Sequence, residues 1–132
     1  MAEIDKVAWI LVEDGRVLST RSHGKDVWYL PGGKREPGES DLDTLRREIA
    51  EELSVAVDVR SAVHVGTFAA PAHGHGDGTT VRMTCYRAAY GGELRPASEI
   101  AETAWLRYAD RHRTSAVDQL IFDHLRAADL LR

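Results

Sequence analysis

The chain carries a single cysteine, Cys85, among 132 residues, so no internal disulfide can staple it. Cys85 sits in an apolar run and reads as a small buried residue. No apolar stretch approaches the roughly 18 residues that would suggest a membrane-spanning helix. No basic segment followed by an apolar one opens the chain in the manner of a secretion signal. The expected location is therefore cytoplasmic. Excess positive charge is also lacking. The formal net charge is -4, which offers no global attraction to polymeric nucleic acid or to an anionic membrane. Internal repeats, low-complexity segments and linkers are absent too. What remains is 43% hydrophobic and 29% charged residues, the proportions of an ordinary globular protein. The length suits one compact domain, residues 1–132, able to build a core without staples.

Local patterns predict a mixed α/β layer structure. Val7 to Val12 is a continuous apolar run, the signature of a well-buried strand. Glu13-Asp14-Gly15-Arg16 carries the Asp-Gly signal of a tight hairpin, and Val17 to Arg21 returns as its second strand. Val27 to Leu30 reads as a short strand that Pro31-Gly32-Gly33 ends. Ser40-Asp41-Leu42-Asp43 has a capping pattern that starts a helix. Ala56 to Ala70 reads mostly as strand, Pro71 to Thr80 as loop and Val81 to Tyr90 as strand. Trp105-Leu106 marks a last short strand. Ser115 to Asp118 repeats the capping pattern before a terminal helix, with Val117, Leu120, Ile121, Leu125 and Ala128 on one face. Strands and two helices in this order imply a mixed sheet between helical layers.

The first helix, expected over Asp41 to Leu53, holds the densest chemistry. Leu42, Leu45, Ile49 and Leu53 form the stripe of a helix buried on one face. Glu48, Glu51 and Glu52 stand at i, i+3 and i+4, so their carboxylates share one side within a turn. They flank the apolar stripe rather than oppose it, which puts them at the rim of a core. Like charges at this spacing destabilise a bare helix by a few tenths of a kcal/mol each. A divalent cation would reverse that sign, and crowded carboxylate oxygens suit the hard ion Mg²⁺. A glutamate-rich helix is more often a solvated face. Gly33, Glu39 and Arg47 at fixed offsets from these acids argue against that reading.

The whole run from Gly33 to Val55 resembles the Nudix box. That box reads Gly, five residues, Glu, seven residues, Arg-Glu, an aliphatic residue, any residue, Glu-Glu, any residue, Gly and an aliphatic residue. Gly33, Glu39, Arg47, Glu48, Ile49, Glu51, Glu52 and Val55 match it; only Ser54 departs, where the family usually has Gly. The resemblance implies a three-layer α/β/α Nudix sandwich, in agreement with the element pattern. It also implies a MutT-like hydrolase that cleaves a nucleoside diphosphate linked to another group, using Mg²⁺, with Mn²⁺ as an alternative ion.

By the same resemblance, Glu48, Glu51 and Glu52 bind metal, the Gly32 carbonyl joins them, and one glutamate, provisionally Glu48, is the general base. Arg47 is expected to orient a helix carboxylate through its planar fork. Glu39, at the helix entrance, and Gly33 support the site. A further acid from outside the helix is often recruited in this family. Glu93, Glu99 and Glu102 are candidates, and Glu99 is chosen from its offset before the last strand. Arg21 and Trp28 are candidate contacts for phosphate and base, although a Trp on a short apolar strand is more often a core residue. His73-Gly-His75-Gly-Asp77 lacks the further ligands of a transition-metal site and is expected to be a mobile loop near the substrate mouth.

The expected activity is cleavage of a nucleoside triphosphate, with an oxidised purine such as 8-oxo-dGTP as an example, to monophosphate and pyrophosphate. The alternatives are a nucleoside diphosphate sugar or a dinucleoside polyphosphate as substrate, or a non-catalytic nucleotide sensor. A sensor would be expected to have lost box carboxylates, and all are here. An isoprenyl diphosphate isomerase of the same fold would need a reactive cysteine, for which Cys85 is a poor candidate. A homodimer is compatible with all of these readings.

Overall fold

Val7 to Ile10 offers water no polar side chain, and the fold covers the run on both faces. In the computed structural model, which describes residues 2–72 and 78–132, this run lies in strand β1 (Glu3–Trp9) and just beyond it. Val7 and Trp9 point to one side, against Leu45, Ile49 and Leu53. Ala8 and Ile10 point to the other, against Ile121, Phe122 and Leu125. The period of two along a strand thus feeds two separate apolar clusters.

Helix α1 (Asp41–Leu53) covers the first cluster and α2 (Ala116–Ala127) the second. Between them lies a mixed sheet in the order β4-β1-β7-β6, with β4 Gly32–Lys34, β6 Val63–Pro71 and β7 Thr80–Arg87. Here β1 and β7 run parallel, pairing Glu3 with Thr80 through to Trp9 with Tyr86, and the other neighbours are antiparallel. A second sheet, β2-β3-β9, joins Val12–Glu13, Arg16–Ser22 and Ile100–Leu106. A small ribbon pairs β5 (Ala56–Val57) with β8 (Tyr90–Gly91). This is the α/β three-layer arrangement that the element pattern predicts.

Several local expectations hold. The two-residue turn between β2 and β3 has Asp14 at φ 53° and Gly15 at φ 76°, the doubly left-handed turn that matches hairpin twist. Ser40 accepts from the Asp43 N–H and Asp43 reaches back to the Ser40 N–H, so α1 starts at its capping box. Cys85 is buried, and burial pushes its thiol pKa up.

Others are corrected. Gly32 and Gly33 do not end a strand. They form β4, opposite Ala8 and Val7, because residues without side chains can lie in the ladder where a Cβ would collide. Val27 to Leu30 makes only isolated bridges, Trp28 to Thr114 and Tyr29 to Thr20. The stretch expected as one strand from Ala56 is broken by a 3₁₀ turn, Val59–Ser61, capped by Asp58. Strand β9 begins at Ile100, well before Trp105. On α2 the inward face is Val117, Asp118, Ile121, Phe122 and Leu125, while Leu120 is exposed. The expected face, which included Leu120 and Ala128, is thus shifted by part of a turn, both of these being exposed. The His73–Asp77 loop lies outside the described residues. Among the described residues, no helix is long and apolar enough to cross a membrane.

Candidate functional site

The apolar stripe of α1 drives its placement: Leu45, Ile49 and Leu53 are fully buried, each worth about 1.5–3 kcal/mol of burial. Docking that stripe carries Glu52 inward as well, to 6% exposure. Its carboxylate accepts from the Gly32 N–H at 3.0 Å. Glu48, one turn earlier, lies against Gly33, where any Cβ would overlap its carboxylate. A glycine is therefore required for strand and helix to approach this closely.

Glu99 reaches the same place from the other side of the chain. The Arg95 and Ala97 N–H groups bond the carbonyls of Leu53 and Glu52 at 2.9 Å each, tying the loop before β9 to the end of α1. Ser98, at φ 57°, turns the backbone, and its hydroxyl donates to Glu99 at 2.6 Å. Glu48, Glu52 and Glu99 each offer a carboxylate oxygen within 4.8 Å of the others. Three acids this close are electrostatically costly. Burial, then the charges of Glu48 and Glu99, push the Glu52 pKa up to about 8. Burial raises Glu48 too, against the pull of Arg47. Glu99 is lowered, chiefly by the Ser98 hydroxyl. An all-oxygen, acidic and partly buried donor set fits a hard divalent cation such as Mg²⁺ or Mn²⁺.

Arg47 braces this cluster. Its Nε and Nη2 donate to the two oxygens of Glu39 at 2.8 and 2.9 Å, and its Nη1 donates to Glu48 Oε1 at 2.8 Å. A further bond runs from Nη2 to the Lys34 carbonyl. The Arg47 fork holds the Glu39 pKa down to about 2. Glu51 stands apart: its carboxylate is half exposed, 3.6 Å from Arg47 Nη1, and outside the three-acid cluster.

A cavity of about 340 Å³ opens over Glu48, Glu52, Glu99, Gly32 and Gly33. A neighbouring cavity of about 220 Å³ shares Lys6, Tyr29, Lys34 and Met83 with it and adds apolar walls, among them Ile4, Val81 and Val117. Another hollow, beside Leu11, Val63 and Arg87, has no carboxylate on its walls, so the chemistry lies elsewhere.

Two sequence candidates are not brought to the acids. Period-two alternation turns Thr20 and Ser22 into the cavity and Arg21 away, where it donates to Glu102 and to the Lys25 carbonyl at 2.7 Å each. Trp28 is 6% exposed within the α2-side core, with the Arg113 guanidinium 5.6 Å over its ring. A ring so covered has no face for a base. Lys6 and Tyr29 line both cavities and Asp118 is buried next to Val117, a wall of one of them, yet the sequence reading did not single them out. Their signals were a lysine against a buried run, the strand neighbour of Trp28, and an acid on the inward stripe of α2. Asp118 is fully buried, takes a bond from Ser115 Oγ at 2.9 Å, and has no partner for Oδ1 among the described residues.

Comparison with known proteins agrees with this geometry. The NUDIX domain family matches residues 4–124. A Mycobacterium tuberculosis protein provisionally named 8-oxo-dGTP diphosphatase 2 is 37% identical over 107 residues, covering 80% of this chain and 69% of that one. The Escherichia coli CTP pyrophosphohydrolase is 38% identical over 63 residues, 45% of this chain and 47% of that one. The chain spans less than half the length of several such relatives, 16%, 24% and 47% in three of them. The crystal structure of a MutT NUDIX hydrolase from Burkholderia pseudomallei superposes with a TM-score of 0.78 at 23% identity, covering 95% of this chain and 99% of that one. With the box matched except at Ser54, Glu48 and Glu52 brought together with Glu99 and the fold shared, the chain belongs to the NUDIX domain family.

Proposed function

We propose that this protein is a Mg²⁺-dependent pyrophosphohydrolase that cleaves a nucleoside triphosphate, 8-oxo-dGTP among the candidates, to monophosphate and pyrophosphate. The observation that carries this reading is the convergence of Glu48, Glu52 and Glu99 beside a cavity whose far wall is apolar and carries Tyr29. One end suits metal-held phosphates and the other a base. The names of two relatives, a CTP pyrophosphohydrolase and an 8-oxo-dGTP diphosphatase, point to the same substrate class.

Glu48, Glu52, Glu99 and the Gly32 backbone would hold the ion, with Glu51 at the rim. A bound divalent cation supplies charge neutralisation of the diphosphate and a more acidic water. The chain's own residues do the rest. Arg47 Nη1 occupies Glu48 Oε1, which leaves Oε2 free to take a proton from the attacking water. Glu39 keeps the Arg47 fork in place, so that Glu48 is oriented before substrate arrives. The apolar walls behind Tyr29 exclude water from the base end.

Steady-state kinetics with 8-oxo-dGTP, dGTP, dCTP and ADP-ribose test the reading. The expected result is Mg²⁺-dependent release of pyrophosphate from a triphosphate, abolished by EDTA and restored by added Mg²⁺. A preference for ADP-ribose of about tenfold or more in kcat/KM, about 1.4 kcal/mol of discrimination, would overturn the triphosphate assignment.

A further inference from the structure

Lys6 and Lys34 face one another across the β1–β4 pair. Like charges directly opposite on neighbouring strands are destabilising, and buried Asp118 acts on Lys6 only at a distance, without an ion pair. Among the described residues neither ammonium has a carboxylate within ion-pair distance. Lys6 is half-buried, its Nζ 5.6 Å from the centre of the Tyr29 ring. Both lysines line both cavities, so they stand at the junction between the acid-bearing space and the apolar one.

That order along the cavity restricts what can satisfy them. The carboxylates stand at one end, the two cations at the junction and the apolar walls at the far end. A neutral base edge at the junction would accept a hydrogen bond from one lysine but leave both charges uncompensated. An anionic group would neutralise the pair. Within a nucleotide lying from acids to apolar wall, the anion nearest the base is the phosphate esterified to the sugar.

We infer that Lys6, assisted by Lys34, grips the phosphate that stays on the nucleoside, and so makes the site selective for a phosphorylated nucleoside whatever its base. This rests on the nucleotide-hydrolase reading above. The grip places the neighbouring anhydride bond over Glu48, and the monophosphate product keeps the same contact until it leaves.

The test compares wild type, Lys6→Met, Lys6→Arg and Lys34→Met. Kinetics are measured with dGTP and dCTP under Mg²⁺, with dGMP, dCMP and the two unphosphorylated nucleosides as inhibitors. Lys6→Met is expected to raise KM and weaken inhibition by both monophosphates by about tenfold, with kcat within about threefold of wild type. Lys6→Arg should retain most of the affinity, Lys34→Met should show a smaller loss in the same direction, and inhibition by nucleosides should not change. Unchanged KM and monophosphate inhibition in Lys6→Met would overturn the inference. So would a loss confined to one base, a loss shared by the nucleosides, or a wild type that neither monophosphate inhibits. Wild-type turnover separates the two levels. If wild type cleaves triphosphates and Lys6→Met matches it, only the phosphate grip falls; if wild type cleaves no nucleotide, the reading beneath it falls too.

Discussion

At the scale of single residues the molecule holds two acids far from their ordinary chemistry, for one shared reason and with different outcomes. Burial pushes Asp118 up to about 7, with the Ser115 hydroxyl and the Lys6 charge pulling the other way. Because its folded pKa is raised, its contribution to stability is fully present below the ordinary aspartate range and is lost as pH rises through about 7. Asp118→Asn should flatten that loss, so the melting temperatures of variant and wild type should diverge in the variant's favour from pH 3.8 up to about 7 and run parallel above it. Parallel melting curves from pH 3.8 to about 7 would show that Asp118 ionises in the folded protein at its ordinary value. Glu52 is raised further, to about 8, and metal must displace its proton. Mg²⁺ affinity should therefore strengthen as pH rises through about 8, with proton uptake or release followed by calorimetry in two buffers. Glu52→Gln should remove that pH dependence and cut turnover by at least about a hundredfold. Full turnover in this variant would remove Glu52 from the site.

At the scale of elements, α1 is the most legible part of the chain and the strands around it the least. The helix runs Asp41–Leu53 as its capping box and apolar stripe predict, because those signals act within a turn or two of themselves. Its end is equally local. Ser54 sits at φ 64°, its N–H bonded to the Ala50 carbonyl, in the left-handed conformation where the Nudix box has Gly. A side chain there costs on the order of 1 kcal/mol. Ser54→Gly should raise the melting temperature by a few degrees and leave turnover nearly unchanged. A lower melting temperature would mean that the Ser54 hydroxyl bond to the Arg95 carbonyl outweighs the backbone term. By contrast, β4 was invisible in the sequence because Gly32-Gly33 has no strand propensity; its pairing is decided by β1 and by the Glu48 carboxylate that needs the space. The fate of Trp28 was undecidable locally, since a base and a hydrophobic core present the same demand for an aromatic ring. The alternation along β3 turns Arg21 towards Glu102, a direction that charge type alone does not reveal.

At the scale of the whole molecule, the composition and element order predict three layers, but the sheet order joins residues that no window along the sequence could connect. The convergence of Glu99 with Glu48 and Glu52 is of this kind: it depends on the backbone bonds from Arg95 and Ala97 to the end of α1. The same holds for the centre of the sheet, where β1 pairs in parallel with β7, Glu3 opposite Thr80 and Trp9 opposite Tyr86. That pairing governs when the protein can exist during its own synthesis. Until Arg87 has left the ribosome, β1 has no parallel neighbour, and the apolar run of Val7 to Ile10 cannot be enclosed from the β7 side. Closing so long a loop is an entropic cost met before any contact repays it. A fragment of residues 1–79 should thus show no cooperative melting and bind an apolar dye, whereas the whole chain melts in one transition. A cooperative transition in the fragment would mean that α1 and β1 assemble unaided. If the fragment stays open, the nascent chain spends most of its translation with its most apolar segment bare, and its yield in a cell depends on what shields that segment until the sheet closes.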